Sequence, residues 1–258
     1  MKRIVFFLYG TFCYLFFLGI FLYAVGFLGN FGVPSTIDGQ LQGSIWQALG
    51  INTLLLSQFA LQHSVMARPW FKRWWTRYVP QPIERSTYVL FTNIALALLF
   101  YAWQPMGGQI WRVSDPIGQN LLYAMYAAGW GLVQMATLQI NHFDLFGMRQ
   151  VWLYLRNQEY TELPFKTPAL YRHVRHPLYV GWFLAFWATP TMTVAHLVFA
   201  LTTSIYILMA IQWGKKDLVD LHGKAYQEYR RQVPMLIPRI LKKGLKGQEP
   251  QPVSSSAS

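Results

Sequence analysis

The chain has 258 residues, of which 53% are apolar and only 12% charged, against about 25% charged in an ordinary soluble domain. Such a deficit excludes a soluble bundle, whose helices each need a polar face. With one cysteine, Cys13, no internal disulfide can form, and the net charge of +12 matters less for its size than for where it is placed.

Crossing a bilayer core takes about 20 predominantly apolar residues in a helix. Six stretches qualify or nearly qualify: 4–28, 44–67, 86–106, 118–140, 178–194 and 195–213. None contains Lys, Arg, Asp or Glu, as expected when a charge at a helix centre costs roughly 2.5–3.5 kcal/mol on insertion scales. The first stretch follows Met1-Lys2-Arg3 but runs past the length of a signal-peptide core and meets no small-residue cleavage site, so it reads as a retained helix. The last two abut at Thr189-Pro190-Thr191 and read as a tight helical hairpin. The expected fold is therefore all-α: a polytopic transmembrane helical bundle of about six crossings with a C-terminal helix on the cytoplasmic side. Residues 1–246 form one integral membrane domain, and the Pro/Gln/Ser-rich stretch 247–258 reads as a disordered tail.

Basic residues alternate between loops. With six crossings and both termini inside, Arg112 alone of the 22 Lys and Arg residues falls on the outer side. This obeys the positive-inside rule and expects a multi-pass protein of a bacterial inner membrane with both termini cytoplasmic. The basic loops satisfy topology and face the anionic inner leaflet, so the expected partner is the lipid bilayer, and nucleic acid is not expected. The pattern fixes no oligomeric state.

Polar side chains are expensive at membrane depth and cluster near the inner ends of two spans: Asn52, Gln58, Gln62 and His63 in the second, and Gln134, Gln139, Asn141 and His142 in and just after the fourth. Such groups can be interhelical glue, but their concentration points to a polar pocket near the inner leaflet. The six histidines show neither an H-E-x-x-H pattern nor a Cys/His cluster, so no metal site is expected.

The most specific signal is Tyr171-Arg-His-Val-Arg-His-Pro-Leu-Tyr-Val-Gly181 at the mouth of the hairpin. There Arg175 and His176 offer donors to a carboxylate, Pro177 starts the next helix, and Gly181 allows close approach of backbone or ligand. Beyond the hairpin, Lys215–Pro238 is amphipathic, with Tyr226 and Tyr229 on roughly one face. Together these segments resemble the isoprenylcysteine carboxyl methyltransferase family, whose members show R-H-P-x-Y-x-G, a membrane hairpin and a terminal G-x-x-Y-x-x-Y…V-P…I-P run. Here those elements are Arg175–Gly181, Gly223–Tyr229, Val233-Pro234 and Ile237-Pro238, within about the last 90 residues. Over the whole length, Leu61–Pro69, Ile83–Leu90 and Asn141–Trp152 are similar to the methanethiol S-methyltransferase branch, and NnrU-like membrane proteins share part of the pattern at His63-Ser64 and Ala67-Arg68.

The resemblance implies an S-adenosylmethionine-dependent methyltransferase acting on a small volatile thiol. It also implies cofactor contacts at His173, Arg175, His176, Pro177, Tyr179, Gly181, Tyr226, Tyr229 and Arg230. A thiol must become a thiolate to attack, and His142, oriented by Asp144, or else His63 is the expected base. Other readings are a methyltransferase for another lipophilic thiol, amine or hydroxyl, and a non-enzymatic NnrU-like membrane protein. One departure stands out: the acidic pair usual after the hairpin falls at Gly214 and Lys215 here, and Asp217 is the nearest acid.

Overall fold

A computed structural model describes residues 1–164 and 166–238. The proposed tail at 247–258 lies outside the described residues. The helices run α1 (Lys2–Gly29), α2 (Ile45–Met66), α3 (Pro69–Trp75), α4 (Gln81–Ala102), α5 (Pro116–Ile140), α6 (His142–Leu145), α7 (Met148–Leu155), α8 (Ala169–His173), α9 (Pro177–Trp187) and α10 (Val194–Gln232). The described residues are all-α apart from two short strands, β1 (Gln109–Arg112) and β2 (Thr191–Thr193), which pair antiparallel.

Among the described residues, four helical segments are long and apolar enough to cross a membrane by length and composition: Lys2–Gly29, Gln81–Ala102, Pro116–Ile140 and Val194–Val219. The fold is thus that of a polytopic membrane protein. Helix α2 matches them in length with 22 residues but carries the polar set Asn52, Gln58, Gln62 and His63. Helix α9 has 11 residues, a rise of about 16 Å at 1.5 Å per residue, well short of the roughly 30 Å of a hydrocarbon core. The expected pair of abutting spans is corrected accordingly: α9 stops at Trp187, β2 intervenes, and α10 starts at Val194. The last span runs on beyond its apolar part, and the expected C-terminal helix follows it across a kink within α10 at Gly223, whose φ is +51° and ψ −125°.

Local chemistry explains the element ends. Pro116 opens α5 and the Asp115 carboxylate accepts from Gly118 N at 2.7 Å, satisfying one of the orphan N–H groups of the first turn. Thr193 caps α10 by accepting from His196 N at 3.1 Å. Pro177 opens α9, where a missing N–H costs nothing.

Two glycines set the closest helix crossing. A Cβ on Gly181 of α9 would lie 2.7 Å from Gly129 O, and one on Gly129 of α5 would lie 2.7 Å from Ala185 N. Backbone therefore meets backbone, the small-residue packing that serves where lipid removes the hydrophobic drive between helices.

The bundle has two distinct ends. The loop end gathers the 30–44 and 103–115 segments and the β1–β2 pair. There the Thr193 hydroxyl donates to Asp38, Asn30 Nδ2 donates to the same carboxylate at 2.7 Å, and Trp103 Nε1 donates to Ile37 O at 3.1 Å. Asn52 of α2 donates to Gln104 O at 2.7 Å and accepts from Gln104 N at 2.9 Å. The opposite, basic end carries the N-terminus, α3, α6, α7, α8 and the C-terminal part of α10.

Candidate active site

The basic end brings two distant segments together. After α10, residues 233–236 run beside the start of α9: Arg175 N donates to Pro234 O at 2.9 Å and His176 N to Met235 O at 3.2 Å. From α10, Tyr229 donates its hydroxyl to Tyr171 O at 2.6 Å, and Tyr226 is buried with its ring 6.1 Å from that of Tyr229. Within α9, the ring of Tyr179 stacks on His176 with centroids 5.4 Å apart, and Pro177 is buried. The expected residues Arg175, His176, Pro177, Tyr179, Tyr226 and Tyr229 thus form one neighbourhood, and Arg230 follows Tyr229 in α10. His173 is at its exposed edge, and Gly181 spends its lack of a side chain on α5 rather than on a ligand.

Arg175 Nε and Arg230 Nε are both buried without a hydrogen-bond partner. A buried guanidinium N–H with nothing to bond carries the full desolvation cost, and a carboxylate or phosphate would remove it. Burial, with the charge of Arg175 next, pushes the His176 imidazole down to about 4, so it is neutral at physiological pH. Burial likewise pushes the Tyr229 phenol up to about 12 and raises that of Tyr171, so both remain protonated.

A second group joins this one from α2 and α4. His63 stacks on Phe59 with centroids 5.4 Å apart, lies 3.0 Å from the Tyr88 hydroxyl and 3.3 Å from Thr92 Oγ1. Next to it, Ser64 shares a hydrogen bond with Tyr206 of α10 at 2.9 Å, and Tyr206, Tyr179 and Tyr88 are electrostatic neighbours. One turn on from Ser64, Arg68 pairs with Asp217 at 3.0 Å, so the nearest acid to the missing pair is held at the junction of α2 and α3. Arg85 sits 4.9 Å over the Tyr88 ring and donates Nε to Leu145 O at 2.7 Å.

His142 is built differently. It is only 3% exposed. Thr137 donates its hydroxyl proton to Gln134 O at 2.8 Å, and a carbonyl can only accept, so Thr137 Oγ1 must accept from His142 Nδ1–H at 2.9 Å. The Nε2 lone pair then accepts from Tyr14 at 2.9 Å. Both ring nitrogens are spent. The rings of Phe17, Phe143 and Phe146 surround it, and burial lowers its basicity. The expected orientation by Asp144 is corrected: that carboxylate accepts from Arg149 at 2.9 Å and from Tyr160 at 3.3 Å. Arg149 also reaches Thr161 O and Oγ1. Asp144 lines an open cleft of about 1030 Å³ with Lys72, Glu84, Arg85, Gln150 and Tyr160, a space that contains neither His63 nor Arg175.

No protein-family model and no solved structure matches this chain. Curated relatives do. A protein of Crocosphaera subtropica named methanethiol S-methyltransferase is 60% identical over 236 residues, 92% of each chain. One of the same name from Mycobacterium tuberculosis is 50% identical over 238 residues, 92% of this chain and 98% of the relative. This chain belongs to the methanethiol S-methyltransferase family. A more distant likeness, 29% identity over 213 residues, links it to Nurim of Xenopus laevis.

Membership in the methanethiol S-methyltransferase family makes the chain a methyltransferase. The residues that pattern reading missed are Tyr88, Thr92, Arg85, Tyr206 and Ser64. Tyr88 and Arg85 lie inside the quoted 83–90 segment, and Tyr206 is a hydroxyl within an otherwise apolar span, a position where polarity is costly.

Proposed function

We propose that this chain transfers the methyl group of S-adenosylmethionine to methanethiol, forming dimethyl sulfide at the basic end of the bundle. In this reading the basic end is the cytoplasmic one and the membrane is the bacterial inner membrane. The observation that carries the proposal is the pair of buried, unpartnered guanidinium nitrogens on Arg175 and Arg230, set among Tyr226, Tyr229 and Tyr179, in a chain whose relatives bear the methanethiol S-methyltransferase name. These residues fit the donor's amino-acid carboxylate, which the two guanidinium groups would bind, and its aromatic base, against which the tyrosine rings would lie.

The donor supplies a methyl group already activated on a sulfonium. The protein's share is then to hold two partners in line, to keep water out and to take one proton. Arg175 and Arg230 fix the donor's carboxylate end, and neutral His176 holds Tyr179 against it. His63 accepts the thiol proton: it lies on the same side as Tyr179 and Tyr206, and one tyrosine hydroxyl faces both of its ring nitrogens, whereas each nitrogen of His142 has a partner of its own. As the S–C bond forms, the methyl's former bonding pair stays with the donor sulfur, and the proton on His63 returns to water.

The test is dimethyl sulfide in the headspace over membranes given methanethiol and S-adenosylmethionine, against empty-vector membranes. Product that depends on both additions is expected. Well-folded protein that binds the donor but makes no dimethyl sulfide would move the substrate to another lipophilic thiol, amine or hydroxyl. Failure to bind the donor would remove the methyl-transfer reading.

A further inference from the structure

The residue beside His63 is tied twice to the helix that carries Tyr226 and Tyr229. We propose that Tyr206 and Asp217 of α10 are positioning residues for the methyl transfer, holding the His63–Ser64 turn of α2 in register with the donor. This rests on the proposed methyl transfer and adds two residues to it.

Both ties converge on Ser64. Its hydroxyl shares a hydrogen bond with the Tyr206 hydroxyl at 2.9 Å. Its carbonyl accepts from Arg68 Nε at 3.3 Å, and Nη1 of the same guanidinium donates to Asp217 Oδ2 at 3.0 Å. One planar fork therefore joins the last turn of α2 to α10. Tyr206 and Asp217 are eleven positions apart, about three turns, so they share one face of α10. The Tyr206 ring also meets Phe59 edge to face with centroids 6.3 Å apart, and Phe59 in turn stacks on His63. The base is thus held through its neighbour's carbonyl, its neighbour's hydroxyl and its own stacking partner, and all three routes end on α10.

The placement matters because α10 is shared by both halves of the site. It packs on α2 and on α9. Beyond the kink at Gly223 it supplies Tyr226, Tyr229 and Arg230, and that part is held to α8 by its own bond from Tyr229 to Tyr171 O. Before the kink, Tyr206 and Asp217 hold α2. Donor and base are therefore referred to one helix from opposite sides of its kink. Polar ties suit this contact, since lipid removes the hydrophobic drive that would press two helices together. The ion pair is part-exposed on both sides, so it contributes little to stability. What it fixes is distance, and misplacing reacting groups by about 1 Å costs on the order of 100-fold in rate.

The experiment measures kcat and KM for methanethiol, donor affinity and melting temperature in the full-length wild type, in the double variant Tyr206→Phe/Asp217→Asn, in His63→Gln, and in the triple variant. The double variant should lose roughly 10- to 100-fold in kcat, with donor affinity within about twofold and melting temperature within a few degrees. In the His63→Gln background the same two changes should cost no further kcat, because a base that is absent cannot be misplaced. A double variant as fast as wild type would overturn the proposal. So would a parallel fall of kcat, donor affinity and melting temperature, or losses that multiply in the triple variant. A wild type that binds donor but methylates no thiol would instead sink the functional reading beneath it. A His63→Gln enzyme with wild-type kcat would remove the base and its positioning together while leaving the methyl transfer standing.

Discussion

The two ends of the bundle contain similar polar side chains and use them oppositely. At the loop end they close on one another: Asp38 takes Thr193 and Asn30, Asn52 bonds Gln104 twice, and Trp111 Nε1 reaches Thr189 O at 3.1 Å. Its one buried unbonded nitrogen among the described residues, Nδ1 of His196, faces the Asp38 carboxylate at 4.0 Å. At the basic end Gln62, Trp75, Gln150, Arg175 and Arg230 each keep a buried polar atom without a partner. Buried polar groups in folded proteins are overwhelmingly satisfied, and in the proposed reading an end that leaves several open, two of them cationic, is completed by the methyl donor. Closure reads as architecture and openness as binding.

The sharpest way to break that comparison is to remove one open group and one closed group. Arg175→Ala should weaken S-adenosylmethionine binding roughly 10- to 100-fold, the loss expected when a hydrogen-bonded charge worth about 1.5–3 kcal/mol disappears, with melting temperature unchanged or raised. Asp38→Ala should do the reverse, lowering stability and leaving affinity alone. Isothermal titration and thermal melts on one preparation read both, and equal effects on affinity would erase the distinction between the ends.

Next comes the α5–α9 crossing that carries Arg175 and His176. Gly181→Ala puts a methyl 2.7 Å from Gly129 O, and overpacking of this kind costs about 1–3 kcal/mol. A clear drop in melting temperature is expected, and a neutral result would mean that the helices can part there cheaply.

A smaller effect follows pH. His176 titrates near 4 in the folded protein against an ordinary 6.5, so between those values the unfolded chain binds more protons. Stability therefore rises with pH in this window, is complete above 6.5 and is lost as pH falls toward 4. The wild type should lose melting temperature between pH 6.5 and 4 more steeply than His176→Gln, and parallel curves would count against the burial of that ring. The smallest effect belongs to the exposed pair Arg231–Glu228 at 3.6 Å: Glu228→Gln should change stability by no more than about 0.5 kcal/mol.

Much of the membrane fold was legible because charge exclusion is unforgiving: α1, α4, α5 and the start of α10 all lie where uncharged apolar runs occur. Helix ends were less legible, since hydropathy measures the thickness of the hydrocarbon core and not the length of the helix. Helix α4 begins at Gln81, before Glu84 and Arg85, and α10 continues far past Trp213. The β1–β2 pair escaped notice because strands of four and three residues are too short for alternation to register.

Within the site, the grouping of Arg175 with Tyr229 was readable only through resemblance. The two lie 54 positions apart, and no periodicity spans that distance. The fate of His142 was not readable at all. Its partner Tyr14 comes from α1, and the acid two residues away, Asp144, is claimed by Arg149. Sequence proximity suggested a base and its orienting acid, whereas the tertiary contacts gave each a different owner.

The hydrogen bonds from the Arg175 and His176 amides to Pro234 and Met235 have a temporal meaning. A ribosome delivering this chain to the membrane synthesises every apolar helix before those carbonyls have been made. In the proposed reading the spans thus come first, and the ability to hold the donor waits for the segment that follows α10. A chain cut short within α10 would sit in the bilayer looking complete and be chemically silent. Donor binding would accordingly report on synthesis through Met235, where membrane insertion could not.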